Sequence, residues 1–515
     1  MLIHALPLLA PAALLACALF IHRSPRTPAT RAAFLAEAAG AFTLLTALAS
    51  ALVLWLSGAG SALFTRLDII SVTMLLLVGF IGWIVLRYAR HYLEGEARHG
   101  FFTFWLLLTL SAVLLLVQSG NLIQLVAAWV AVSLSLHKLL LFYPNRIAAQ
   151  RAARKKFLTA RVSDAALIIA AVLLTYAYGT TDISTILTKA QPGPATSAAA
   201  AMIALAALLK SAQFPSHGWL TEVMETPTPV SALLHAGVVN GGGFLLIRFA
   251  DVMLLSPFLL AVLVMIGGFT ALFGSMVMLT QPAVKTSLAW STVAQMGFMI
   301  LQCGLALFPL ALLHIVAHSL YKAHAFLSCG GAVERIAATR RPGPVAVPGA
   351  KSVARAFAVA LLIYAAVFAA FALTFGLDSK SPQAIALGAI LIFGVAYLLA
   401  QGLAETAPRA LTRRTALYAF ATATAYFALQ RGAEWLTHGT LPATPAPGAL
   451  EWALITLALL SFGLVALAQA TFPLWAHHPA TEGLRVHLSN GLYANALTDR
   501  LIGGFSRKFQ NGAKS

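Results

Sequence analysis

Hydrophobic and polar positions along this chain separate into long blocks rather than alternating every second or third residue. Apolar runs begin near Leu2, Ala32, Leu67, Phe101, Leu122, Phe157, Ala198, Val230, Ser256, Ser287, Pro309, Ala356, Gln383, Thr415 and Glu451. Each approaches the ~20 residues that cross a bilayer as a helix. The pattern predicts an all-α polytopic membrane protein with about 15 transmembrane helices. The polar breaks are short, so one membrane domain is expected over residues 1–475, followed by a tail over 476–515. The first run shows no small-residue cleavage site before His22 and reads as a retained helix. Composition agrees: 60% of the 515 residues are hydrophobic and 10% charged, with mean hydropathy +0.85, whereas a soluble domain is about 25% charged.

Net charge changes the picture only after it is mapped. A formal +18 suggests nucleic acid until the loops are numbered in order. About 25 of the 34 lysines and arginines fall in odd-numbered loops and the tail, including Arg146, Arg151, Arg154, Lys155 and Lys156. The even loops hold Arg66, Lys189, Arg248, Lys380 and Arg431. This asymmetry is the positive-inside rule, and it places the N-terminus outside (periplasmic) and the C-terminus inside (cytoplasmic). The basic charge is topology, with no nucleic acid implied.

Two segments outside the helices have their own character. The long inside loop from Ala332 to Val353 is rich in proline, glycine and arginine and reads as irregular. In the tail, Leu484, Val486, Leu488, Leu492, Tyr493, Ala496, Leu497, Leu501 and Ile502 approximate helical spacing. An amphipathic helix on the inner membrane face or on a partner is expected, with a disordered tail as the alternative. Cys17, Cys303 and Cys329 are scattered without CxxC spacing, so neither a disulfide framework nor a metal or iron–sulfur site is implied. No P-loop, nucleophile elbow or GxGxxG after a strand occurs, and Gly241-Gly242-Gly243 suits close helix packing. No cofactor and no metal are expected in this chain.

The candidate chemistry lies in ionisable groups placed inside apolar runs. A lysine in hydrocarbon costs about 2.5–3.5 kcal/mol, so Lys210 is a functional candidate by default. It ends the run Ala198–Leu209 and is followed by Ser211, Gln213 and Pro215. Proline removes a backbone donor and breaks the helix, which at membrane depth is tolerated where it lines a cavity or is covered by protein. The plainer alternative is a lysine snorkelling to an interface. Arg161 and Asp164, three apart, share a face as a structural ion pair or as part of a path. Glu222 and Glu225 precede Pro227 and Pro229 at a membrane edge, as gating carboxylates or solvated ones. His235, two turns into the next run, is a relay or a satisfied core histidine. The densest constellation is HIVAHSLYKAHAFLSCGG, His314 to Gly331, in which His314, His318 and Lys322 at i, i+4 and i+8 stack on one face. Such a row suits proton transfer. Two histidines four apart could chelate zinc, but no HExxH glutamate or nearby cysteine completes a site. His137 and Lys138 add a further basic pair.

KSAQFPSHGWLTEVMETPTPVSALLHAG, QPAVKTSLAWSTVAQMGFM and HIVAHSLYKAHAFLS together resemble the proton-translocating antiporter-like subunits. These comprise the NuoL, NuoM and NuoN-type subunits of respiratory complex I, the Mrp sodium/proton antiporters, and the DabB family of inorganic-carbon accumulation complexes. The resemblance runs from about Phe101 to Gly331. It implies two inverted five-helix repeats, each with a broken helix, and a proton relay of Lys210, His235, His314, His318 and Lys322. Lys380, before Ser381-Pro382, resembles the lysine of the second broken helix.

Two departures matter. Ion-translocating members carry a glutamate directly after a tryptophan in the fifth helix, where it pairs with the broken-helix lysine; here Val130 follows Trp129. Asp164 or another carboxylate must replace it, or the first half-path is altered. In addition, only about 40 residues follow Phe472, without the long lateral helix of NuoL-type subunits. With GWLTEVMETPTPVSALLHAG and VHLSNGLYANAL, the wording is most similar to the DabB family. That resemblance implies a bacterial inner-membrane subunit that conducts protons or sodium and couples the gradient to CO2 hydration and bicarbonate accumulation. It also implies a large cytoplasmic DabA-like partner that holds the zinc. The energy-coupling subunit itself would be no enzyme. A proton-pumping subunit of a quinone-reducing complex, an Mrp-type antiporter subunit and a passive scaffold are the alternatives.

Overall fold

The computed structural model describes residues 2–24, 28–331, 349–376, 380–403, 408–471, 475 and 478–503. Most of the loop from Ala332 and the end of the tail lie outside the described residues. The first half runs α1 (Leu9–Arg23), α2 (Ala29–Ser57), α3 (Ile69–Tyr92), α4 (His99–Val117), α5 (Leu122–Leu140) and α6 (Ile147–Tyr178). Short α7 (Ile183–Thr188) leads to α8 (Pro194–Lys210), α9 (Gly218–Thr221), α10 (Thr228–Ala236), α11 (Gly241–Arg248) and α12 (Ala250–Leu254). Then come α13 (Pro257–Met278), α14 (Val284–Gly304), α15 (Phe308–Leu327), α16 (Ala350–Phe375), α17 (Pro382–Gly402), α18 (Arg409–Thr437) and α19 (Ala449–Ala470). The tail forms α20 (Glu482–Ser489) and α21 (Ala494–Gly503).

Among the described residues, 11 helical stretches are long and apolar enough to cross a membrane. Of the about 15 expected, α8 is too short for that measure and α14 and α18 are too polar, while α17 contributes, among the described residues, only the shorter apolar stretch Pro382–Ala396. Thr228–Arg248 counts as one crossing although it is three pieces: α10 ends at Ala236, a 3-10 turn spans Val238–Asn240, and α11 follows. This interruption, beside the break after Lys210, was not expected from the sequence.

Among the described residues the fold is helical apart from one hairpin, β1 (Gly60–Ala62) with β2 (Thr65–Leu67), turned at Leu63 and Phe64 with positive φ. Beside it, Asp68 caps α3 and receives the Ser71 N–H at 2.8 Å. Asp68 also pairs with Arg248 at 2.5 Å and Arg66 at 2.7 Å, and the Asp68 and Arg248 side chains are buried. Burial works against this carboxylate, but Arg248, Arg66 and the Ser71 N–H together hold its carboxyl well below the usual range. Two cations assigned above to outside loops are thus part of an ion cluster tying α3 to α11.

Glycine sets the tightest helix contact. Cβ atoms added at Gly267 in α13 or Gly274 would meet backbone atoms of α14 at 2.6–2.8 Å. Small residues at a membrane helix interface let backbones approach this closely. The tightly packed part of the molecule surrounds α8, α10, α11 and α15, while α16–α19 form a separate buried cluster.

Candidate functional site

The break after Lys210 is built from the chain's own polar groups. Pro194 starts α8 and Lys210 ends it; Ala212 has positive φ and the Phe214–Pro215 peptide is cis. The freed carbonyls find donors: Gln213 N–H bonds Leu208 O at 3.2 Å, and Trp219 Nε1 bonds Leu209 O at 3.2 Å. Ser211 Oγ donates to Val239 O at 3.0 Å, and the Thr270 hydroxyl accepts from Phe214 N at 3.2 Å. The break is therefore enclosed by protein, as an irregular backbone at membrane depth must be.

Lys210 is buried, with Nζ 4.4 Å from the centre of the Trp129 ring. It borders two small cavities. One is shared with Asn240, Gly241 and Val132; the other with Lys156, Thr159, Ser163 and Asp164. The aromatic face of Trp129, rather than a carboxylate from position 130, is thus its direct neighbour, and Asp164 is the carboxylate facing the same space. Asp164 pairs with Arg161 at 2.5 Å. Ser133 gathers the remaining cations: Arg161 Nη2 donates to its hydroxyl at 3.0 Å, and Lys156 Nζ donates to its carbonyl at 2.6 Å. Lys156, read in the sequence as one of a run of inside-loop charges, is 5% exposed. Its neighbour Lys155 turns the other way, to Glu222. Only the opposite orientation of adjacent side chains on α6 distinguishes them, and a sequence does not show that.

The second group lies on α15. His318 Nε2 is 3.2 Å from His235 O, and the His314 and His318 rings are 5.9 Å apart. His235 is fully buried and stacks on Phe326 at 4.4 Å, with neither ring nitrogen bonded to protein. Lys322 is also fully buried; Nζ donates to Ser291 Oγ at 2.8 Å and Leu288 O at 3.1 Å on α14. His314 and His318 open onto a cavity of about 750 Å³ with Gln295, Gln302, Ser291 and Tyr426 on its walls. Among the described residues no three His, Cys, Asp or Glu side chains gather as a metal site.

Between the two groups stands a contact absent from the expectations. Asn240 Nδ2, at the start of α11, donates to Ser319 Oγ at 2.8 Å, and Asn240 shares the Lys210 cavity. Ser319 sits between His318 and Lys322. The signal was present in the sequence as an asparagine in the apolar stretch GVVNGGG.

The other candidates are more scattered. Glu225 pairs with Arg146 at 2.9 Å in a half-exposed ion pair. His137 packs on Phe157 and Lys138 faces Trp105, on different sides of α5. Lys380 lies in the connection between α16 and α17, helices of 26 and 21 residues. Each is long enough to cross a bilayer alone, so Lys380 does not sit between the halves of one broken helix. Its Nζ bonds Gln430 at 3.0 Å over the Phe427 ring.

A helical membrane bundle with a protein-enclosed helix break and buried lysines defines the class, and comparison with known proteins places the chain in it. A family described as "NADH:quinone oxidoreductase/Mrp antiporter, TM" matches residues 119–381, and "NADH-Ubiquinone oxidoreductase (complex I), chain 5 N-terminus" matches 43–102. The chain belongs to this antiporter-like family. Among its relatives, the probable inorganic carbon transporter subunit DabB2 of Halothiobacillus neapolitanus is 38% identical over 85% of this chain and 80% of its own. The probable inorganic carbon transporter subunit DabB of Hydrogenovibrio crunogenus is 46% identical, over 54% of this chain and 55% of its own length. That match spans about half of each chain. The NAD(P)H-quinone oxidoreductase chain 5 of Synechocystis is 36% identical over 52% of this chain and 40% of its own. A structure of the Mrp complex from Dietzia superposes with TM-score 0.64 at 24% identity, over 98% of this chain and 60% of that one. The antiporter-like fold is the same.

Proposed function

We propose that this chain is the proton-translocating membrane subunit of an inorganic-carbon accumulation complex. The observation that carries the translocation reading is the continuity of buried polar groups. Asp164 and Lys156 share a cavity with Lys210; Lys210 shares another with Asn240; Asn240 bonds Ser319, beside His318 and Lys322. Lysine and histidine in such surroundings exchange protons readily because burial opposes their charged forms. Asp164 takes the role of the carboxylate missing at Val130. His314 and its cavity extend the path, His235 braces His318 through its carbonyl, and Lys380 stands at its far end. Glu222 marks the entrance at the edge of the broken helix, with Glu225 beside it.

The inorganic-carbon assignment is supported by the names of the DabB relatives. On that reading the subunit sits in a bacterial inner membrane, N-terminus periplasmic and C-terminus cytoplasmic, and drives CO2 hydration in a zinc-containing cytoplasmic partner of the DabA type. The test is gentle affinity purification from native membranes with partner identification and zinc analysis. One large subunit with about one zinc per complex, the fewest that a catalytic site requires, is the expected result. Flavin and iron–sulfur partners without zinc would instead support the respiratory reading, which the NAD(P)H-quinone oxidoreductase relative favours.

A further inference from the structure

The C-terminal helices turn only part of their apolar stripe to the bundle. Leu484, Leu497 and Leu501 are exposed. Leu488 packs against the apolar core of the membrane domain and Ala494 is buried, and polar side chains supply the rest of the contact. Asp499 Oδ1 in α21 lies 2.9 Å from Lys155 Nζ. The same ammonium donates to both oxygens of Glu222, at 2.7 and 2.8 Å. Asn495 Nδ2 donates to Thr221 Oγ1 at 3.3 Å, at the end of α9. Gly218, which opens α9, faces Asn495 so closely that a Cβ would overlap its side chain. Farther along, Gln281 donates to Ser489 O at 3.2 Å, and Gly491 lies against Trp290, whose ring packs on His217 at 4.9 Å.

These contacts converge on the inner half of the broken helix, the segment between Lys210 and Glu222. The Lys155 side chain is 2% exposed while its two carboxylate partners are 26% and 35% exposed. A buried ammonium needs its partners, since an uncompensated buried charge is strongly unfavourable. With α21 in place, Lys155 is shared between the tail and the broken helix. With α21 displaced, Glu222 and water alone decide where it sits.

We propose that Asp499 is a positioning residue that clasps the C-terminal helices to the inner half of the broken helix through Lys155, so that tail and ion path move as one unit. This rests on the reading of Lys210 as part of the ion path. The expectation of an amphipathic tail helix on the membrane face thereby gains a specific seat.

The test uses the complex purified through this chain, reconstituted in proteoliposomes with an imposed pH gradient. Proton flux and the rate of tryptic cleavage at exposed Arg485 and Arg500 are read together. Asp499→Asn should speed cleavage and lower flux, each about fivefold, and Asp499→Glu should restore both. Asn495→Ala loosens the same seat without touching the ion cluster and should act in the same direction; it carries the test if Asp499→Asn fails to assemble. Wild-type flux in the loosened variant, or lost flux that Asp499→Glu does not restore, overturns the clasp. Lys210→Ala separates the two ideas. If it abolishes flux while Asp499→Asn matches wild type, only the clasp fails; if it leaves flux intact, the path reading fails and takes the clasp with it.

Discussion

At the scale of single residues, Lys210 and Asp164 belong together for a reason of chemistry. A buried ammonium needs a nearby acceptor or a way to lose its proton, and the family's usual acceptor position is occupied by Val130. Asp164 reaches the shared cavity from α6, held there by Arg161. Asp164→Asn keeps the shape and removes the ionisable group, so it should cut proton flux about 100-fold with the complex intact. Flux measured against an imposed gradient checks this, and an undiminished rate would remove Asp164 from the path. Lys210, Asp164, His318 and Lys322 were legible in the sequence because charge in an apolar run is conspicuous. Lys156 and Asn240 were not singled out. The first was hidden among solvated-looking neighbours, and the second is an uncharged side chain whose partner, Ser319, is 79 residues away.

Elements were legible where hydrophobic length alone decides, and less so where backbone geometry does. The start of each apolar run falls at or near a helix, yet the interruption at Gly237–Asn240 has no proline to announce it. Lys380 showed the opposite failing: Ser-Pro suggested a break inside a helix, but it marks the start of a new one, with Pro382 at its first position. Helix packing is similarly hidden, since glycines matter only once their neighbours are known. A Cβ on Gly297 of α14 would stand 2.4 Å from the backbone nitrogen of Ala271 in α13. Gly297→Leu should therefore force α13 and α14 apart at a cost of about 1–3 kcal/mol. A lowered thermal midpoint of the detergent-solubilised complex would show it; an unchanged midpoint would mean the interface is looser than the geometry indicates.

At the scale of the whole molecule, two of the ion clusters among the described residues tie distant elements of the bundle together. The Asp68–Arg66–Arg248 cluster ties α3 and the hairpin to α11, and the Lys155–Glu222–Asp499 cluster ties the tail to α9. Arg248→Ala leaves the Asp68 carboxylate buried beside Arg66 alone and should destabilise the fold by about 3–5 kcal/mol. Reduced assembled yield and earlier thermal unfolding are the expected signs, and wild-type stability would contradict them. This anchor was not legible in the sequence, because a charge near a helix end looks the same there whether it is solvated or buried.

On the proposed function, the buried groups from Asp164 and Lys210 to Lys322 form one proton path. Its most direct measurement is proton flux through the reconstituted complex, comparing wild type with Lys210→Ala and Lys322→Ala at matched assembly. Either substitution alone should lower flux by about 100-fold or more, because each interrupts the same series path. Wild-type flux in either variant, with the complex fully assembled, would contradict it.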